Sequence, residues 1–329
     1  MTTGPLEDIT LAGVPRLGRL YAQGIGASAR HALSTRRADA RRLLPVAYVV
    51  TGVRADAEHL TAYQHLLGES ASDRLPAGFV HVLAFPVATA LMVRPGFPLP
   101  LVGLVHLANR IDQLRPVTLG DPLDVRAWAQ HLAPHRSGTQ VELVTEVRLG
   151  GTGTGTGTAP GAGPLAWRGV STYLAKGTWI EPRDAAMSPA AATPARAVPA
   201  EACDGDRQSH APFVAPAPTA RWDLAADTGR RYADVSGDRN PIHLTAPTAR
   251  LFGFPCAIAH GMYTAARALA EIGAARGDTF TWTVELATPV LLPSTVAVRV
   301  TRDADAFTYV AWNDRTGKPH LTGTVAPGV

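Results

Sequence analysis

Asp238, Asn240 and His243 have the types and spacing to handle a proton between them. They fall within Ser236-Gly237-Asp238-Arg239-Asn240-Pro241-Ile242-His243. This is turn text, and Pro241 disfavours helix at Asn240, so an open loop is expected. In such a loop the carboxylate and the imidazole can face one cleft, with the amide beside them. One water molecule is then within reach of all three, which is a general acid/base constellation. Asp238 and Asn240 are also good turn formers, and spacing alone does not choose between the two readings.

A second piece follows at Ala259-His260-Gly261-Met262, where an apolar, alanine-rich run begins. A helix that starts at a glycine offers an uncovered backbone N–H, and the helix dipole adds positive charge there. That arrangement suits a carbonyl oxygen gaining negative charge. A glycine required only for close packing would look the same.

These residues must be carried by a scaffold, and its elements repeat. In the C-terminal part, a polar loop precedes the buried helix expected over 260–275. Strand-like runs follow at 279–286, 294–302, 306–312 and 319–325, with a turn cluster over 313–318. Val296, Val298 and Val300 alternate on one face. In the N-terminal part, an apolar helix is expected over 79–93, with Pro86 limiting its early part. Strands follow at 101–111, 123–129, 139–149 and 165–174. A helix followed by an antiparallel meander, twice over, is as far as periodicity goes. Residues 150–164 (GGTGTGTGTAPGAGP) read as a flexible hairpin loop, and the Pro- and Ala-rich residues 181–220 as a linker. Residues 1–45 look peripheral, with helical potential over 17–33. The Gly24-Ile25-Gly26-Ala27-Ser28-Ala29 match to a dinucleotide fingerprint follows no strand and is treated as chance.

Composition narrows the function classes. The 329 residues are 46% hydrophobic and 18% charged, with a formal net charge of +4. That supports folded cores and gives no basic, aromatic-interleaved surface for nucleic acid. Lysine occurs only at Lys176 and Lys318, the other basic residues being arginine. The cysteines, Cys203 and Cys256, cannot make a disulfide framework or a zinc site alone. No signal-peptide core opens the chain and no run reaches membrane-span length, so a soluble cytoplasmic protein is expected.

Residues 221–264 resemble the MaoC-like hydratase domain, whose signature reads roughly Y-x-x-x-S-G-D-x-N-P-[IL]-H with A-H-G downstream. Tyr232, Ser236, Gly237, Asp238, Asn240, Pro241, Ile242, His243, Ala259, His260 and Gly261 match it. More loosely, the whole chain is similar to bacterial two-hotdog 3-hydroxyacyl-thioester dehydratases, in which only the C-terminal hotdog carries the motif. The resemblance implies an α+β double hotdog. It would comprise an extension at 1–45, a degenerate hotdog at 46–180, the linker at 181–220 and a catalytic hotdog at 221–329. It implies one active site per chain, where the halves meet, and reversible R-specific hydration of trans-2-enoyl thioesters. Asp238 would be the principal base, raised toward useful basicity by burial, and His243 would orient the water, though these roles could be exchanged. Asn240 would fix the water or His243, and the Gly261 N–H would hold the enolate-like oxygen. Ser236 and Tyr232 would shape the loop, and His260 would stand behind the site or simply start the helix. Arg239 and Arg250 would meet substrate phosphates or remain solvated. No metal is expected, nor any cofactor beyond the CoA or phosphopantetheine of the substrate. The expected partner is an acyl-CoA or acyl carrier protein thioester, and a homodimer is compatible. A hotdog thioesterase and a non-catalytic acyl-binding subunit are the other functions such a chain could have.

Overall fold

The computed structural model describes residues 5–24, 43–150, 161–179 and 213–328. The first half contains β1 (Glu7–Thr10), a helical stretch over 17–24 (α1), β2 (Val46–Val53), α2 (Ala57–Leu67) and α3 (Ala77–Met92). It continues with β3 (Leu104–Gln113), β4 (Leu123–His135), β5 (Gly138–Leu149) and β6 (Leu165–Lys176). The second half runs β7 (Ala220–Leu224), α4 (Thr228–Ser236), a 3₁₀ turn (Pro241–His243), α5 (Ala246–Arg250) and α6 (Gly261–Ile272). It closes with β8 (Phe280–Leu286), β9 (Ser294–Asp303), β10 (Ala306–Asn313) and β11 (Pro319–Pro327).

All the strands lie in one 11-stranded sheet ordered β1-β2-β4-β5-β6-β3-β8-β11-β10-β9-β7. Outward from the centre, the two halves carry equivalent strands in the same order: β3, β6, β5, β4, β2 on one side and β8, β11, β10, β9, β7 on the other. They join where β3 pairs antiparallel with β8, from Ala108↔Glu285 to Gln113↔Phe280. Each half-sheet curls around one buried helix, α3 or α6. This is the double hotdog that the resemblance implies. β1 alone pairs parallel, along the outer edge of β2.

The helices differ from expectation in instructive ways. Pro86 lies inside α3, although an interior proline costs about 3 kcal/mol. Almost every face of α3 is covered, with Phe79, Val80 and Val87 wholly buried. Burial at roughly 1.5–3 kcal/mol per large apolar side chain outweighs one lost hydrogen bond. The unforeseen helix α2 buries Leu60, Tyr63, Gln64 and Leu67 along one stripe. It is capped by Asp56, which accepts the His59 N–H at 2.9 Å, and ends at left-handed Gly68. The polar stretch expected as a loop before α6 also contains α4, the 3₁₀ turn and α5, while residues 237–240 are the open loop expected. The linker expected at 181–220 is described only from residue 213. Residues 25–33 of the expected N-terminal helix and 151–160 of the glycine–threonine loop lie outside the described residues. Among the described residues, no helix is long and apolar enough to cross a membrane.

Candidate active site

Helix α4 delivers the carboxylate. It stops at Gly237, whose left-handed φ of 72° lets its N–H bond to Ala233 O at 2.9 Å. Asp238 therefore leaves the helix axis and turns into the space between the halves. Asn240 is extended, as expected before proline. The 3₁₀ turn that follows presents His243 from the same side. Close packing fixes this turn, because a side chain at Gly229 of α4 would strike the His243 carbonyl.

The Asp238 carboxylate is held through one oxygen. Oδ1 accepts the Asn240 N–H at 3.1 Å and also the Tyr21 hydroxyl. The Asp238 N–H donates to Ser236 Oγ at 3.2 Å. His260, immediately before α6, donates from Nε2 to the Asp238 carbonyl at 2.9 Å. The same nitrogen lies 3.8 Å from Oδ2. His243 donates from Nδ1 to the Ile258 carbonyl at 2.8 Å. That bond sets the tautomer and leaves Nε2 as an open acceptor. The His243 and His260 rings stack at 3.6 Å, and Tyr232 packs on His260 at 4.9 Å. Asp238, His243 and His260 bring nitrogen and oxygen atoms within 4.8 Å of one another.

These contacts set the charges. Burial pushes the Asp238 carboxyl up. The imidazoles of His260 and His243, the Tyr21 hydroxyl and the Asn240 N–H pull it down, and the balance falls below its ordinary value. The expectation that burial would raise Asp238 is therefore corrected: hydrogen bonds and neighbouring rings outweigh desolvation. Burial, with His260 alongside, brings His243 down to about 3, and burial also lowers His260. At neutral pH the site holds a carboxylate beside neutral imidazoles.

The surrounding cavity, of about 180 Å³, is lined from both halves. The C-terminal half contributes Asp238, Asn240, His243, His260, Gly261 and His320; the N-terminal half contributes Tyr21, His81, Phe85, Met92, His106 and Tyr173. At the start of α6, the Gly261 N–H has no acceptor among the described residues. Asn240 also lines the cavity, and its side-chain oxygen is buried without a partner, so it does not bond to His243. Ser236 and Tyr232 are buried and line the cavity. His260 does more than start a helix, since it grips the Asp238 backbone and backs His243. Arg239 is not in the site; it is exposed and pairs with Asp234 at 2.7 Å. Arg250 is likewise exposed, bonded to the Pro255 carbonyl.

Sequence reasoning missed Tyr21, His81, His106, Tyr173 and His320. Tyr21 lies in the segment read as peripheral, yet Leu17, Leu20 and Tyr21 have the spacing of one buried helical face. The others sit in ordinary helix and strand text with no local motif.

A double hotdog with an Asp–His pair at the seam defines a class of hydro-lyase, and comparison with known proteins agrees. The MaoC-like domain family model matches residues 210–309. 3-Hydroxyacyl-thioester dehydratase X of Mycobacterium tuberculosis is 33% identical over 270 residues, 82% of this chain and 85% of that protein. The chain belongs to this MaoC-like dehydratase family. The crystal structure of the mycobacterial protein (HtdX) superposes with a TM-score of 0.68 at 31% identity, covering 85% of this chain and 99% of that one. A MaoC-like dehydratase from Phytophthora capsici matches with a TM-score of 0.59 at 17% identity, over 85% of this chain and 94% of its own. An acyl-ACP thioesterase from Bacteroides thetaiotaomicron matches with a TM-score of 0.51 at 10% identity, over 85% of this chain and 96% of its own. Since the fold also hosts thioesterases, the site and not the fold separates the two activities.

Proposed function

We propose that the chain interconverts (R)-3-hydroxyacyl thioesters and trans-2-enoyl thioesters, carried by CoA or by an acyl carrier protein, by loss or addition of water. The observation that carries this reading is a pair of unprotonated acceptors. His243 Nε2 is open because Nδ1 is committed to Ile258, and Asp238 Oδ2 is open because Oδ1 is committed to Tyr21 and Asn240. A water that donates to two acceptors spans about 4.5 Å between them, from the usual hydrogen-bond length and its own angle. Ligand atoms of Asp238, His243 and His260 gather within 4.8 Å of one another, so one water can reach the pair.

In hydration, such a water keeps its oxygen lone pair free to attack the β-carbon. His243 Nε2 takes one proton as the C–O bond forms, and the electron pair of the double bond moves through the α-carbon onto the thioester oxygen. The Gly261 N–H stabilises that oxygen; one such donor is worth roughly 10²–10³ in rate. The imidazolium then returns its proton to the α-carbon, which regenerates the neutral site. Asp238 holds the water through its other hydrogen and stabilises the imidazolium. The saturation of Oδ1 favours this division of labour over Asp238 as principal base. Dehydration is the same path reversed.

No metal is needed. Nor does the chemistry call for a cofactor beyond the thioester's own carrier arm.

The test follows enoyl absorbance of crotonyl-CoA and of a longer trans-2-enoyl-CoA beside a thiol-release assay. Absorbance loss without thiol release, abolished in Asp238→Asn and His243→Ala, is expected. Thiol release would move the chain to the thioesterases. Silence with both CoA and carrier-protein substrates would sink the enzymatic reading.

A further inference from the structure

The Asp238 carboxylate receives one of its hydrogen bonds from outside both hotdogs. β1 is fastened to the outer sheet edge by its parallel pairing with β2 and by Arg126, which donates to both carboxylate oxygens of Asp8 at 2.7–3.2 Å. From there the chain crosses to α1, which lies over the catalytic loop. Leu17, Leu20 and Tyr21 are 8%, 8% and 6% exposed. A side chain at Gly237 would strike Leu17, so the strap rests directly on the residue that turns Asp238 into the cavity. Tyr21 completes the contact with its hydroxyl on Oδ1.

We propose that Tyr21 is a positioning residue of this site: its hydroxyl pins Oδ1 of Asp238 so that Oδ2 is the oxygen presented to the reacting water. Without that hydroxyl, only the Asn240 N–H would hold Oδ1, and both oxygens would compete for the water. The phenol is suited to the task because burial and the Asp238 charge raise it well above its ordinary value, so it stays a donor across the working pH range. The two hotdogs alone would then be an incomplete enzyme. The inference rests on the dehydratase reading above.

The test uses the full chain in two forms. In Tyr21→Phe, kcat should fall roughly ten-fold, as befits one hydrogen bond to a charged group, with KM nearly unchanged. The lost bond favoured the carboxylate, so Asp238 should titrate higher and the acidic limb of the kcat profile should move to higher pH. Replacing Tyr21 by 3-fluorotyrosine keeps the shape and strengthens the donor, so the limb should stay at or below its wild-type position. Leu17→Ala loosens the strap but keeps the hydroxyl. It should lower the melting temperature and leave the limb in place. A Tyr21→Phe enzyme with wild-type kcat and limb would overturn the inference while leaving the dehydratase reading intact. So would a limb that moves equally in Leu17→Ala, and, should Tyr21→Phe fail to fold, a fluorotyrosine enzyme whose limb moves up. Wild-type protein without hydratase turnover would overturn both.

Discussion

The two halves are built alike and used differently. Each has a helix, a connection, a buried central helix and a meander in the same strand order. They diverge in the connection. Between α2 and α3 it is residues 68–76; between α4 and α6 it is residues 237–260, which form the 3₁₀ turn and α5. Each connection carries a carboxylate near its start. In the long one, Asp238 keeps an oxygen open toward a cavity. In the short one, Glu69 is spent on a buried ion pair with Arg276 at 2.9 Å, tying one half to the other. On the proposed mechanism the chemistry belongs to the extra length of one connection, not to the hotdog itself. The N-terminal half supplies cavity wall.

The comparison breaks if either carboxylate fails to behave as placed. Asp238→Asn and His243→Ala should each lower kcat by about 10³-fold or more, since each removes an acceptor that no neighbour replaces. Circular dichroism should show both variants folded. Retained activity in either variant, measured by enoyl absorbance, would remove the acceptor pair from the mechanism.

Glu69→Gln should do the opposite. It leaves the Arg276 guanidinium largely buried and unpaired, which costs about 3 kcal/mol. Chemical denaturation should show that loss while kcat in the surviving folded protein stays near wild type. A stable but inactive variant would mean that the short connection takes part in catalysis after all.

How much of this was legible follows the same division. The long connection stands out because acid/base chemistry would demand particular side chains at a particular spacing, so Asp238, His243 and Gly261, which the fold brings to one cavity, could be grouped from the chain alone. The two central helices and eight of the strands were legible from apolar runs and alternation. Pro86 misled because a local helix-breaking rule was outweighed by tertiary burial. The Asp238 titration was misjudged because its sign depends on Tyr21 and His260, which reach it from distant parts of the chain. Tyr21, His81 and His106 have no motif to keep; they belong to the site through folding alone.

The wall residues give a finer test. His106 stacks on Tyr173 at 4.6 Å, and its Nε2 is buried without a partner. Burial, then the neighbouring His81, brings it down to about 3, and burial brings His81 down to about 4. The folded protein holds these rings neutral while the unfolded chain protonates them near their usual value. The unfolded state therefore binds more protons as pH falls from about 7 through the ordinary histidine range, and stability is lost in that direction. His243 acts in the same sense; Asp238 adds its share only below the usual carboxylate range. His106→Phe keeps the stacking and removes the titration. It should raise the melting temperature at pH 5 more than at pH 7.5, with kcat within about ten-fold of wild type. An unchanged pH slope would show that His106 finds a proton partner in the folded state.

Arg239 sets the smallest effect. It is next to Asp238 in sequence, yet its side chain is 55% exposed and paired with Asp234, itself 65% exposed. Such surface pairs contribute little, commonly well under 1 kcal/mol. Arg239→Ala should therefore leave the melting temperature and kcat essentially unchanged. KM for a CoA thioester should move by less than about two-fold if the guanidinium meets only water and Asp234. A larger, salt-dependent rise in KM would mean that it swings from Asp234 onto the substrate's phosphates. The catalytic connection would then bind the carrier arm as well as activate the water.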